Sequence, residues 1–197
     1  MERSKLHNRI TKLSLAGLCI CLGLLIPYFS GHAMGVPGSV LLPMHIPVLI
    51  AGLLLGYRYG AICGFVTPIV SSLLTGMPAL WPMLPMMACE LTTYGVVTGI
   101  LRKKFKMPLY LSLIGAMIAG RIVSGIVYAV IVMPASITPV MESVITTLMT
   151  GLPGILIQLA IIPAAVKLLE RKVKIEDADG DARGFAGAVM EDAITKE

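Results

Sequence analysis

The chain has 197 residues, of which 56% are hydrophobic and only 14% charged, and its mean hydropathy is +0.87. A soluble domain of this length cannot bury so much apolar surface, so soluble enzymes and soluble binding modules are excluded. The net charge of +5 does not indicate a nucleic-acid partner, because nearly all lysines and arginines lie in short segments between apolar runs. The composition predicts an all-α membrane protein with several transmembrane helices.

The apolar runs predict six transmembrane helices and three regions of the chain. Residues 1–12 form a basic cytoplasmic leader, residues 13–166 the six-helix membrane domain, and residues 167–197 a cytoplasmic tail that we expect to be acidic and disordered after residue 175. A signal peptide is disfavoured because the first run is long, lacks a clear cleavage site and is followed by further runs. The expected spans are residues 13–30, 41–56, 59–76, 81–101, 108–133 and 139–166.

The positions of the basic residues predict the topology. They cluster in the leader, at Arg58, after Leu101 and after Val166, which alternate with the segments 31–40, 75–79 and 134–138. None of those three segments contains lysine or arginine. By the positive-inside rule they are outer loops, and both termini lie in the cytoplasm.

Motif searches give no sign of catalysis or of a cofactor. The chain has no phosphate-binding G-x-x-x-x-G-K-[ST] loop, no H-E-x-x-H and no G-x-S-x-G, so we expect no ATP hydrolysis by this chain. A metal site formed by His32 and His45 near the outer boundary is conceivable, but two ligands are too few, and polar contacts are the more ordinary role. The four cysteines all fall inside predicted spans, where they pack as small apolar side chains.

Two charges inside predicted spans are the strongest functional signal. Glu90 lies nine residues, or ~13 Å, from Trp81 on a span that enters from outside, and Arg121 lies thirteen residues, or ~20 Å, from Pro108 on a span that enters from inside. In a bilayer core of roughly 30 Å the two reach nearly the same depth. Because an intramembrane charge needs a partner, we expect Glu90 and Arg121 to pair.

Small residues spaced four apart predict where helices pack closely. Gly17 and Cys21 have this spacing in the first span, Gly60 and Gly64 in the third, and Ala116, Gly120 and Ser124 in the fifth. Such faces ordinarily pack one helix on another within a subunit, and an external membrane partner is the alternative.

A resemblance to a known family rests mainly on residues 41–102. This part reads LLPMHIPVLIAGLLLGYRYGAICGFVTPIVSSLLTGMP and continues, after two residues, with WPMLPMMACELTTYGVVTGILR. It resembles the substrate-binding S components of energy-coupling factor (ECF) transporters, and a weaker likeness extends over residues 8–172.

The resemblance implies a vitamin-binding subunit in a prokaryotic plasma membrane, energised by a transmembrane coupling subunit and two cytoplasmic ATPases. S components dock on the coupling subunit through small residues of the first helix, for which Gly17 and Cys21 are the best match here. The ligand would be a B-group vitamin or related micronutrient, and a small planar heterocycle such as niacin would place its carboxylate on Arg121. The expected ligand-binding residues are His32, His45, Met77, Trp81, Glu90, Tyr94, Arg121 and Tyr128.

Two other functions are compatible with the sequence. A self-contained secondary transporter could use Glu90 to couple substrate movement to protons. A structural membrane subunit would bind no ligand. Uphill transport by the chain alone would distinguish the first of these from an S component, and a bound small molecule would exclude the second.

Overall fold

The computed structural model describes the backbone of residues 2–34, 43–131 and 138–172 and the side chains of residues 9–29, 43–131 and 149–169. These residues are helical apart from short connections, and no strand occurs among them, which confirms the all-α prediction. The helices are α1 (Glu2–Met34), α2 (His45–Leu55), α3 (Tyr57–Thr75), α4 (Met83–Gly99), a π-helical turn (Ile100–Lys104), α5 (Leu109–Ile131) and α6 (Thr138–Lys172).

Within the described residues, four helices are long and apolar enough to cross a membrane. The qualifying stretches are Arg9–Phe29, Met83–Lys104, Leu109–Ile131 and Met149–Leu169. The second predicted span corresponds to α2, which has only 11 residues and rises ~16 Å, about half of a bilayer core. Its shortness follows from the prolines, since Pro43 precedes the helix and Pro47 falls in its first turn, where the missing N–H is not needed.

Helix α1 is longer than the sequence predicts. It begins at Glu2 and continues through the expected leader, and it ends at Met34 rather than before Gly31. The predicted outer loop is therefore wrong for residues 31–34, because a single glycine followed by His32, Ala33 and Met34 does not stop a helix. The remainder of that loop, the turn at 134–137 and the tail after residue 172 lie outside the described residues.

The turn between α3 and α4 is where the sequence places it. Helix α3 ends at Thr75, and Gly76 adopts a left-handed conformation with φ of 72°, which glycine tolerates without strain. The Ser71 hydroxyl donates to the carbonyl of Met77 and the Ser72 hydroxyl to that of Pro78, both at 2.7 Å. These bonds fix the chain path into α4.

Helices α2, α3 and α4 pack through their backbones, as the small-residue spacing of α3 predicts. A Cβ added at Gly60 would lie 2.8 Å from the carbonyl carbon of Gly95, and one at Gly64 would lie 2.7 Å from the amide nitrogen of Thr92. These distances are too short for a side chain, so the glycines allow α3 and α4 to touch directly. Such an approach leaves α4 little freedom to rotate.

The other helices pack around this core. Helix α5 turns Ala116, Gly120 and Ser124 toward α4, as predicted, and contributes Leu113 to a cluster with Leu49, Leu53 and Ile162. Helix α1 packs on α2 and α3 through Ala16, whose carbonyl accepts a bond from the buried Cys63 thiol at 3.5 Å. The face of α1 that carries Gly17 and Cys21 is exposed.

Replacing Gly95 with alanine should destabilise the protein by about 1–3 kcal/mol, because its Cβ would meet the Gly60 backbone, with the Gly60 Cα only 2.9 Å away. Gly17→Ala is the matched control, since nothing lies within 4 Å of its Cβ. That change should leave stability unchanged or raise it by about 0.4–1 kcal/mol. Thermal unfolding in detergent measures both, and equal midpoints for the two variants would contradict the close packing.

Candidate functional site

The candidate site is a buried polar centre on α4. Glu90 lies midway along the helix and is only 5% exposed. Tyr94 follows four residues later, on the same face, and its hydroxyl donates a 2.7 Å hydrogen bond to Glu90 Oε1. Tyr94 therefore fixes the rotamer of the carboxylate from within the same helix.

Arg121 of α5 completes an ion pair across the helix interface. Its Nη1 lies 3.0 Å from Glu90 Oε1, and its side chain is 11% exposed. The pairing expected from the depths of the two residues is confirmed. A buried pair of this kind is costly to desolvate, but removal of either partner would leave an isolated charge.

His45 approaches the same carboxylate oxygen from α2. It is the first residue of that helix and is 2% exposed, and its Nε2 lies 3.7 Å from Glu90 Oε1. This distance is too long for a hydrogen bond. The imidazole ring also lies beside the Tyr94 ring, with 5.2 Å between centroids and an angle of 55° between planes.

Gly120 provides the space that Tyr94 needs. A Cβ at this position would lie 3.0 Å from Tyr94 Cζ and closer still to two other ring atoms. The glycine beside Arg121 thus lets the ring lie flat against α5 while the arginine next to it reaches Glu90. The small residues of α5 therefore serve the polar centre as well as helix packing.

Several buried polar atoms of the centre have no hydrogen-bond partner among the residues that the structure describes. They are both ring nitrogens of His45 and the Nε and Nη2 of Arg121. Buried donors and acceptors are nearly always paired in folded proteins, with protein atoms, water or a ligand. The centre can therefore receive a polar molecule, with a fixed carboxylate and guanidinium on two helices and an imidazole on a third.

The other predicted ligand-binding residues lie apart from this centre. Met77 and Trp81 stand on the turn before α4 and are 75% and 68% exposed. Tyr128 is half-buried on α5, seven residues or ~10 Å from Arg121 and near the same helix face. The His32 side chain lies outside the described residues. Four of the eight residues are thus brought together, namely His45, Glu90, Tyr94 and Arg121.

Several buried polar residues were not predicted as site residues, and Gln158 and Thr67 are two of them. Gln158 of α6 is among the most buried side chains of the protein, and Thr67 of α3 is fully buried against α1, where its Cγ2 lies 2.7 Å from the position of a Cβ on Gly23. Gln158 is a polar residue in the middle of an apolar run. The same pattern identified Glu90 as a candidate site residue. Thr67 gave no signal, because threonine is common in membrane helices, where its hydroxyl usually bonds to the backbone of its own helix. Here the Thr67 hydroxyl is buried and has no hydrogen-bond partner among the described residues.

Comparison with known families decides the class of this protein. The model of the family described as "ECF transporter, substrate-specific component" matches residues 11–166. The chain belongs to this family. Neither the comparison with curated proteins nor that with solved structures found a match.

The family match covers every residue of the polar centre and both residues of the expected docking face. The protein is accordingly an S component, a substrate-binding subunit of a transporter and a multi-pass protein of the cell membrane. The resemblance noted in residues 41–102 is confirmed, and the match extends it over most of the chain.

The ion pair should make the two charges interdependent in stability. Glu90→Gln should destabilise the S component by roughly 3–5 kcal/mol, because Arg121 is left buried without a countercharge. The double variant Glu90→Gln/Arg121→Met should be more stable than Glu90→Gln alone. Tyr94→Phe, which removes one hydrogen bond and no charge, is a milder control at about 1 kcal/mol. A double-mutant cycle by thermal unfolding measures the coupling, and additive effects of the two substitutions would contradict a direct pair.

Proposed function

We propose that this S component captures a B-group vitamin or a related micronutrient from outside the cell. It then delivers the molecule inward together with a transmembrane coupling subunit and two cytoplasmic ATPases. The observation that carries the proposal is the polar centre of Glu90, Arg121 and His45, which lies buried in a chain of this family with donors left unpaired. A protein that served only as a membrane scaffold would have no use for such a centre.

The proposed topology has six membrane spans and cytoplasmic termini. Arg58 and the basic residues after Leu101 then lie on the inner side, with the leader and the residues after Val166. In this topology the short helix α2 and helix α3 form a hairpin that enters from outside and returns. The N-terminus of α2, with His45, faces the outer half of the membrane, where an arriving substrate meets it.

The proposed binding site extends outward from the polar centre. His45, Glu90, Tyr94 and Arg121 form its floor and give it polarity. In this proposal Tyr128, Trp81, Met77 and His32 belong to the outer part of the site, and the exposed Met77 and Trp81 side chains of the 76–82 turn would cover the ligand. Because the polar groups are few, we propose a small planar heterocycle as the ligand, of which niacin is one example.

Denaturation of the purified protein should release a small heterocyclic molecule, because buried unpaired donors at the centre favour an occupied site. Mass spectrometry of the supernatant identifies the molecule. Arg121→Ala should release at least tenfold less of it per mole of protein, while Cys89→Ala, an exposed position next to Glu90 in sequence, should release the normal amount. Equal release from all three proteins would place the ligand elsewhere.

The proposed docking face for the coupling subunit is the exposed side of α1 at Gly17 and Cys21. No atom of the described residues lies within 4 Å of a Cβ at Gly17, and the Cys21 side chain is exposed, so the described part of the chain leaves this face open. Small residues there would let a partner helix approach closely. In this proposal ATP is hydrolysed only by the partner ATPases.

Gly17→Leu and Cys21→Leu should each reduce co-purification with the coupling subunit and its ATPases at least severalfold, since a large side chain would hold the facing helix away. Cys89→Leu is the control, because this cysteine is equally exposed but lies on α4. Co-expression followed by affinity purification in detergent measures the association. If Cys89→Leu disrupts the complex and the α1 variants do not, the docking face lies on another helix.

The alternative function is proton-coupled secondary transport, and the buried Glu90 beside His45 is the observation that favours it. The two functions differ in what the chain does by itself. Proteoliposomes that contain only this protein should bind the molecule recovered from it but not accumulate it under an imposed pH gradient. Accumulation without the ATPases would establish the secondary carrier and exclude the S-component mechanism.

A further inference from the structure

We infer that the substrate presents a neutral edge with an adjacent hydrogen-bond donor and acceptor, such as a carboxamide or a lactam, to Glu90 and Arg121. This inference rests on the proposed function and specifies its substrate class. It departs from a simple anion such as niacin, for which Arg121 alone would be the partner.

The contacts of the Glu90 carboxylate involve one of its two oxygens. Tyr94 Oη, Arg121 Nη1 and His45 Nε2 all approach the same oxygen, Oε1, at 2.7, 3.0 and 3.7 Å. Among the described residues, Oε2 takes part in no hydrogen bond or ion pair. A carboxylate accepts through both oxygens, so Oε2 remains available for a donor from the substrate.

The guanidinium of Arg121 retains hydrogen-bond donors that Glu90 does not engage. Its Nη1 is engaged by Glu90, whereas Nε and Nη2 are buried and have no partner in the described part of the chain. Both nitrogens can only donate, so the group that satisfies them must be an acceptor. The ion pair therefore offers one acceptor, Oε2, next to two donors, and its complement is a donor beside an acceptor on the same edge of a ligand.

The balance of charge at the ion pair favours a neutral ligand. Glu90 and Arg121 neutralise each other at 3.0 Å, in a site where both side chains are almost entirely buried. A ligand carboxylate would add a net negative charge there and would lie next to Glu90, where like charges repel strongly in a medium of low dielectric constant. A carboxamide or lactam supplies the same acceptor oxygen without the charge, and its N–H meets Oε2.

Displacement of Glu90 by a ligand carboxylate is also disfavoured by Tyr94. The Tyr94 hydroxyl holds Oε1 from one turn along the same helix, and the tyrosine ring packs directly against Gly120, too closely for a side chain there. If Glu90 moved away, both this hydroxyl and a buried carboxylate would lose their partners. The centre is therefore built to add a ligand to the ion pair rather than to exchange one carboxylate for another.

His45 extends the same pattern. A neutral imidazole has one donor and one acceptor nitrogen, and both ring nitrogens of His45 are buried with no hydrogen-bond partner among the described side chains and backbone. The ring lies against Tyr94, so its polar atoms border the ion pair. Together the three side chains suit a heteroaromatic molecule whose nitrogen and carbonyl groups alternate around the ring.

Matched pairs of neutral and acidic heterocycles test the inference by isothermal titration into the full chain in detergent, after bound small molecules have been removed by dialysis. The probes are nicotinamide against nicotinate, and pyrimidin-4-one against pyrimidine-4-carboxylate. The neutral member should bind at least tenfold more tightly in any pair that binds. Its binding enthalpy should be the same in phosphate and Tris buffers, because no proton is taken up when a neutral ligand joins a neutral site.

Glu90→Gln should weaken binding of the neutral probe at least tenfold and reduce its advantage over the acid, because an amide nitrogen replaces one of the acceptor oxygens. Cys89→Ala, next to Glu90 in sequence but exposed, should leave both affinities unchanged. Should Glu90→Gln fail to fold, the neutral–acid comparison on the unmodified chain decides by itself.

Tighter or equal binding of the acids, or no binding of any of the four probes, would overturn the neutral-edge inference. These results leave the proposed function intact if the chain still associates with the coupling subunit and still releases another small molecule on denaturation. The proposed function fails separately, if neither the association nor a released molecule is found.

Discussion

The ion pair between Glu90 and Arg121 is the interaction on which the rest of this structure depends. Two charges buried in the middle of an apolar bundle are tolerated only when they lie at the same depth and face each other, which fixes both the height and the rotation of α4 and α5. Tyr94 adds a third constraint from within α4. Under the proposed function, a substrate that enters the bundle meets this pair.

The backbone contacts among α2, α3 and α4 hold the pair in register. Lipid provides no hydrophobic driving force between helices, so close packing of small residues and polar contacts must stabilise their association. Gly60 and Gly64 press α3 onto α4 over the turns that carry Leu91 and Gly95, directly beside Glu90 and Tyr94. Close packing of α3 on one face of α4 therefore orients the side chains of Glu90 and Tyr94 on the other face.

Much of this could be predicted from the sequence, because charges, prolines and basic loops are strong signals in a membrane protein. The all-α fold, the 76–79 turn, the pairing of Glu90 with Arg121 and the packing of Gly60 and Gly64 all follow from residue type and position. The length of α1 and the start of α2 at His45 could not be predicted from the sequence, because helix ends near a membrane surface depend on local packing. The contact between Gly120 and Tyr94 could not be predicted either. A helix that is apolar on every side shows no periodicity from which its orientation about its own axis can be inferred.

Helices α2 and α3 are joined by one residue, Gly56, whose φ of 92° turns the chain without any loop. His45 lies at the opposite end of α2, ~15 Å from that joint at the usual rise per residue. Over such an arm, a tilt of about 3° moves the imidazole by ~0.8 Å, enough to carry its Nε2 from 3.7 Å to hydrogen-bonding distance of Glu90. The orientation of α2 at this single-glycine joint therefore sets how closely the imidazole approaches the ion pair.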